Sequence, residues 1–145
     1  MKGGTELQKV IMAYVQDYVR RNQAARVVRD ALEDIGIGLF PVLDHITVRT
    51  LVIDDRAQEF QRFGYVYSET LEYEDWWAKV YRAPGCPALF VDQGYEDERG
   101  KTSIIPGWVR QFGDRTLHHI AVRVGDIDLC MRRLESKGVK FSGAI

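Results

Sequence analysis

The stretch Leu43-Asp44-His45-Ile46-Thr47-Val48-Arg49-Thr50 returns later in the chain as Leu117-His118-His119-Ile120-Ala121-Val122-Arg123-Val124. Sliding the chain 74 residues along itself brings the two stretches into register and keeps them there without a gap. Ile53 falls on Ile127, Asp54 on Asp128, Phe60 on Leu134 and Gly64 on Gly138. Nine matched positions over one continuous segment mark an internal duplication, the pattern to settle before any motif is believed. The period changes partway through the first copy. Val42 to Leu51 is rich in β-branched residues and alternates polar with apolar, as a half-buried strand does. After Asp54-Asp55, Ala57, Phe60 and Phe63 recur at helical spacing, and Gly64 ends the run.

Beyond Gly64 the first copy reads as three strands, Tyr65–Leu71, Trp77–Arg82 and Ala88–Asp92, separated by a charged turn and by Pro84-Gly85-Cys86-Pro87. A polar loop from Gln93 to about Lys101 leads to an irregular or short helical connection over Ile104–Phe112. The second copy gives a strand over Thr116–Val124, a helix over Asp126–Lys137 and a further strand from Val139. Ahead of the repeat, Leu7, Val10, Ile11, Tyr14, Val15 and Tyr18 follow the spacing of one buried helix face. Ala25, Val28, Leu32 and Ile35 continue it past a break near Asn22, and Gly36 and Gly38 are stops. The expectation is an α+β protein. A helical segment (1–40) precedes a first βαβββ unit with its connecting loop (41–114) and an incomplete second unit (115–145).

At 145 residues, 46% hydrophobic and 28% charged, the chain has the size and balance of one globular domain with a real core. A formal net charge of −1 gives no reason to expect nucleic acid or an anionic membrane as partner. No stretch approaches the ~20 apolar residues of a membrane span. The amino terminus leads into a charged amphipathic segment, without the apolar core of a secretory leader. Cys86 and Cys130 cannot form a disulfide framework, which points to a reducing, cytoplasmic setting.

Alternation places His45, Thr47 and Arg49 on one strand face and Ile46 and Val48 on the other. The aliphatic face packs on the helix, so the His-Thr-Arg face lines a concave sheet. The repeat puts His119 and Arg123 on the equivalent face, while His118 falls on the side of Ile120 and reads as a residue that supports a metal ligand or as a structural one. A lone strand histidine is usually structural; two at one repeat position can converge on a single ion. A carboxylate would complete a two-His, one-carboxylate set for Fe(II), and imidazole–carboxylate sets also suit Zn, Ni or Mn. Asp92 is the best internal candidate, Gln93 is weaker, and Glu69 and Glu72 remain open. Arg49 is placed to grip a substrate carboxylate in bidentate fashion, or to pair with an acid such as Glu69. Arg123 is a weaker version of the same case. No residue is assigned an acid–base role. Most of the aromatics Tyr65, Tyr67, Tyr73, Trp76, Trp77 and Tyr81 are expected in core or interface, with one or two walling the pocket.

The two quoted stretches resemble the opening strands of vicinal oxygen chelate proteins, the superfamily of glyoxalase I, extradiol dioxygenases and bleomycin or fosfomycin resistance proteins. The resemblance covers residues 42 to 145. Helices ahead of the first strand and the His45-x-x-x-Arg49 spacing are similar to the 2-oxoadipate dioxygenase/decarboxylase family. That resemblance implies iron on His45 and His119, a substrate carboxylate on Arg49, and a Glu ligand on a late strand of the second unit, for which this sequence offers no counterpart. It implies an Fe(II) dioxygenase-like protein acting on a small 2-oxo or hydroxy acid. The alternatives are a glyoxalase-like metal lyase or isomerase, favoured by Asp92 in the pocket, and a metal-free small-molecule-binding module of the resistance type. An open sheet edge points to a homodimer.

Overall fold

Thr5 opens the first helix with a reciprocal cap: its hydroxyl accepts from the Gln8 backbone N–H, and the Gln8 side chain accepts from the Thr5 N–H. In this computed structural model, which describes residues 5–142, that cap starts α1 (Glu6–Arg21), and α2 (Gln23–Asp34) follows at once. The break falls at Asn22, whose side chain accepts from Ala25 N–H and so serves as the N-cap of α2. Leu7, Ile11, Val15 and Val19 form the buried stripe of α1. The expected helical segment (1–40) and second unit (115–145) therefore lie partly outside the described residues.

A short 3-10 turn at Phe40–Val42 leads into β1 (Leu43–Arg49), followed by α3 (Ile53–Arg62), β2 (Val66–Glu72), β3 (Trp76–Arg82) and β4 (Ala88–Gly94). A 3-10 turn at Glu98–Thr102, α4 (Ile105–Phe112), β5 (Leu117–Val122) and α5 (Ile127–Ser136) complete the described chain. The single mixed sheet has the order β2-β3-β4-β1-β5. β1 runs parallel to β4 and antiparallel to β5, so it is the strand through which the first repeat copy meets the second.

One sheet face packs on α1 and α3. Ile11, Ile46, Val48, Phe60, Tyr81, Leu89 and Val91 are buried together there. Ala57 and Phe60 anchor α3 as its spacing requires, whereas Phe63 lies outside that stripe and is exposed. Gly64 adopts a positive φ of 125°, the backbone that lets the chain leave α3 and enter β2. Arg56 ties the layers together at their edge. It donates to the Asp114 carbonyl at 2.6 Å, to Glu59 at 3.0 Å and to the Tyr14 hydroxyl, linking α1, α3 and the turn before β5.

Three expectations need correction. The strand expected from Val139 is absent: residues 139–142 carry no strand pairing. Gln93 is not in the polar loop but in β4, buried, where it accepts from the Ile53 N–H at 2.9 Å. Strict alternation also fails in β1 and β5. The pairing slips between Leu43 and His45 on one strand and opposite His118 on the other, so Thr47 faces His119 but Val48 faces Leu117. Leu43 and Ile46 are both in the core, as are Leu117 and, at its margin, Ile120. Two core residues three apart force the two between them to the opposite side, which is the geometry of a β-bulge.

Candidate functional site

The bulges decide which side chains reach the concave face. Asp44-His45 and His118-His119 are the displaced pairs, at equivalent repeat positions. His118 is therefore not on the Ile120 face, as alternation predicts, but beside His119 in a cavity of about 360 Å³. Arg49, Asp92, Trp76, Ser103 and Asp75, the last bonded to the Thr102 hydroxyl, also line that cavity, as do Ile104 and Ile105 at the start of α4.

The His45 and His119 rings meet edge to face, with centroids 5.5 Å apart. Each is held through Nδ1 by the residue before it. His45 Nδ1 lies 2.9 Å from Asp44 Oδ2, and His119 Nδ1 lies 2.8 Å from His118 Nδ1. His45 also stacks on Phe90 at 4.7 Å. His119 Nε2 lies 3.1 Å from the buried Thr47 hydroxyl. Burial, reinforced by the neighbouring His118, His45 and Arg49, pushes the His119 imidazole down to about 4. His118 is lowered by the same burial and by Arg49. His119 is thus neutral near pH 7, the form that offers a lone pair.

Two imidazoles sharing an ion at ~2.1 Å each hold their rings roughly 5 Å apart, so the His45–His119 spacing fits half of a metal site. The other half is not supplied by Asp92. Among the described residues no three His, Cys, Asp or Glu side chains are gathered where they could hold a metal ion. Asp92 stands instead with Arg49, its partner in the β1–β4 register. Burial pushes the Asp92 carboxyl up to about 7, against the pull of the Arg49 charge. Arg49 lies over the Trp108 ring at 5.4 Å, and its own pKa is lowered by burial. Glu69 and Glu72 lie on β2 and are exposed.

Arg123 does not share the position of Arg49. It lies just past β5, its side chain is 68% exposed, and its nearest acid is Asp44 at 3.9 Å. The difference follows from the sheet: β4 flanks β1 on the side away from β5, and among the described residues no strand flanks β5 in the same way. Trp76 walls the cavity while Tyr65 and Tyr81 are buried in the core. Trp108, Ser103 and His118 were not legible as site residues. The turn ahead of α4 brings Ser103, α4 brings Trp108, and only the bulge brings His118. Cys86 and Cys130 are free and half-buried. No helix among the described residues is long and apolar enough to cross a membrane.

No family model matches the chain, and no curated protein matches it. Among solved structures, the fold is similar to the crystal structure of a "putative hydrolase" from Shewanella frigidimarina NCIMB 400. The TM-score is 0.74 at 17% sequence identity, over 93% of this chain and 74% of that one. At that identity the likeness establishes a shared α+β fold.

Proposed function

We propose that this chain is a metal-dependent protein of the dioxygenase type, with Fe(II) the favoured ion, acting on a small 2-oxo or hydroxy acid. One observation carries the reading. A half-buried guanidinium, Arg49, lacks an ion-pair partner among the described residues and lines the same cavity as His119, which meets His45 at the junction of two repeat copies. The order β1-α3-β2-β3-β4, followed by β5-α5, is compatible with paired βαβββ units of the vicinal oxygen chelate kind.

In this reading His45 and His119 would hold the ion through Nε2. Their Nδ1 atoms are already engaged by Asp44 and His118, which fixes ring orientation. The ion would supply Lewis-acid and redox chemistry toward an acid and O₂. Arg49 orients the acid through its carboxylate, and Trp76, Ile104 and Ile105 offer apolar walls beside it. The small acid is the partner, the compartment is the cytoplasm, and the β5 edge is where a second copy would pair. The glyoxalase-like lyase would need further carboxylates beside the histidines. The metal-free binding module has one feature in its favour: both ring nitrogens of His119 already have partners.

The test is elemental analysis of protein purified without chelator, beside a His45→Ala/His119→Ala double variant. Stoichiometric iron in the wild type alone, with O₂ uptake on adding 2-oxo or 2-hydroxy acids, is the expected result. Nickel or zinc in place of iron would favour the lyase. Absence of metal from both proteins would leave the binding module.

A further inference from the structure

Arg49 and Asp92 are direct partners in the parallel β1–β4 register, and both line the cavity. Neighbouring opposite charges under this much burial ordinarily close into an ion pair, because an unpaired buried charge is costly. These two do not close. Arg49 Nε and Asp92 Oδ1 are both buried without a hydrogen-bond partner among the described residues. Each feels the other's charge, and no hydrogen bond contributes to the state of either. Nearby buried polar groups are satisfied: Gln93 bonds Ile53 N–H and Glu96, and Arg56 bonds Asp114, Glu59 and Tyr14. The unmet pair is the exception, and such exceptions call for an explanation.

A guanidinium needs an acceptor, and a carboxylate needs a donor. A molecule bridging two such groups, held further apart than an ion pair, carries both functions on adjacent atoms. A 2-hydroxy acid does so, and so does an α-amino acid. A 2-oxo acid presents only acceptors and leaves an ionised Asp92 unmet, so the comparison is made near roughly pH 8.5, above the value of about 7 to which burial raises this carboxyl. We propose that Asp92 is a specificity-determining residue, selecting acids that carry a hydroxyl or ammonium next to the carboxylate held by Arg49. Trp76, Ile104 and Ile105 line the same cavity and suit a short aliphatic tail. This rests on the Arg49 half of the proposed function and not on the metal.

The experiment uses the full chain, freed of metal by EDTA, in calorimetric titrations with three acids of one skeleton: 4-methylpentanoate, its 2-oxo form and its 2-hydroxy form. Leucine is the fourth ligand. A hydrogen bond to a charged group is worth roughly tenfold or more in affinity, so the hydroxy acid should bind at least about tenfold tighter than the plain and oxo acids. In Asp92→Ala the three acids should become equivalent. Asp92→Asn, whose amide both accepts and donates, should bind the hydroxy and oxo acids alike and should bind leucine more weakly than the wild type does, because the ammonium loses its carboxylate. Circular dichroism checks that both variants fold. Equal binding of the three acids to the wild type, or a preference that survives in Asp92→Ala, overturns the proposal; so does failure of any acid to bind. A wild type that holds no iron but keeps the ranking overturns the dioxygenase reading and leaves this one standing.

Discussion

Ile46 lies directly opposite Ile120 in the antiparallel β1–β5 pair, and the two are the same position of the repeat. Every other pair in that ladder is symmetric about them. His45 faces Ala121 and Thr47 faces His119; Leu43 faces Val122 and Val48 faces Leu117. A local twofold relation therefore runs through the backbone of the two strands. It brings His45 and His119 to the same side, one step from the axis, which is how residues 74 apart in sequence come into ring contact.

The symmetry of the backbone does not extend to its cover. Ile46 is 0% exposed beneath the helices, whereas Ile120 packs at the margin of the core. Ile46→Ala should cost about 2–5 kcal/mol, the range for a buried aliphatic truncation. Ile120→Ala should cost roughly half that, since less apolar surface is withdrawn from water there. Urea unfolding of both variants measures the difference. Equal costs would mean that β5 is covered as fully as β1.

The α+β class and the order of the elements were readable from the repeat because hydrophobic period survives in both copies. Strand, helix and terminal glycine recur in order, and the helix break at Asn22 shows in the stripe of α1. The site was only half readable. Alternation puts His45 with Arg49, but it puts His118 on the wrong side. The sign of the bulge was present, since Leu43 and Ile46, like Leu117 and Ile120, are apolar residues three apart with two polar ones between. A period of two does not register such a pattern. Trp108 and Ser103 arrive through a turn and a helix folding back over the sheet, and no local period encodes that.

Asp44 and His118 occupy the same bulge position, and each contacts Nδ1 of the histidine that follows. Removing such a partner typically lowers metal affinity about 10–100-fold. Asp44→Ala and His118→Ala should each weaken binding of Co²⁺, measured by titration calorimetry, by an amount in that range. Asp44→Asn, which still accepts from Nδ1–H, should recover most of the loss. Variants that bind Co²⁺ as the wild type does would show that these contacts do not orient the rings.

Arg56 is 6% exposed and uses its fork on three groups at once. Lysine keeps the charge but presents a single ammonium, which cannot span Tyr14, Glu59 and the Asp114 carbonyl together. Arg56→Lys should destabilise the protein by about 2–4 kcal/mol, because groups built around the fork lose partners in partly buried surroundings. Thermal unfolding at pH 7 provides the check. A loss below roughly 0.5 kcal/mol, the scale of an ordinary surface change, would remove Arg56 from the role of cross-link.

Asp92 and His119 should drive stability in opposite directions over the same pH window. Asp92 has its folded pKa raised to about 7, so the native state holds its proton where the unfolded chain has released it. That contribution is fully present below the ordinary carboxylate pKa of about 4 and is lost as pH rises through 7. His119 has its folded pKa lowered to about 4, so the native state refuses a proton that the unfolded chain accepts. Its contribution is present above the ordinary value of about 6.5 and is lost as pH falls toward 4. In the wild type the two slopes largely cancel between pH 4 and 6.5. Asp92→Asn removes the descending slope, so its stability relative to wild type should rise with pH, by up to ~1.4 kcal/mol per unit. His119→Gln removes the ascending slope, and its relative stability should fall with pH by a similar amount. Urea midpoints from pH 4 to 8 read both differences directly. Parallel profiles for the three proteins would show that neither group titrates as its burial in the cavity demands.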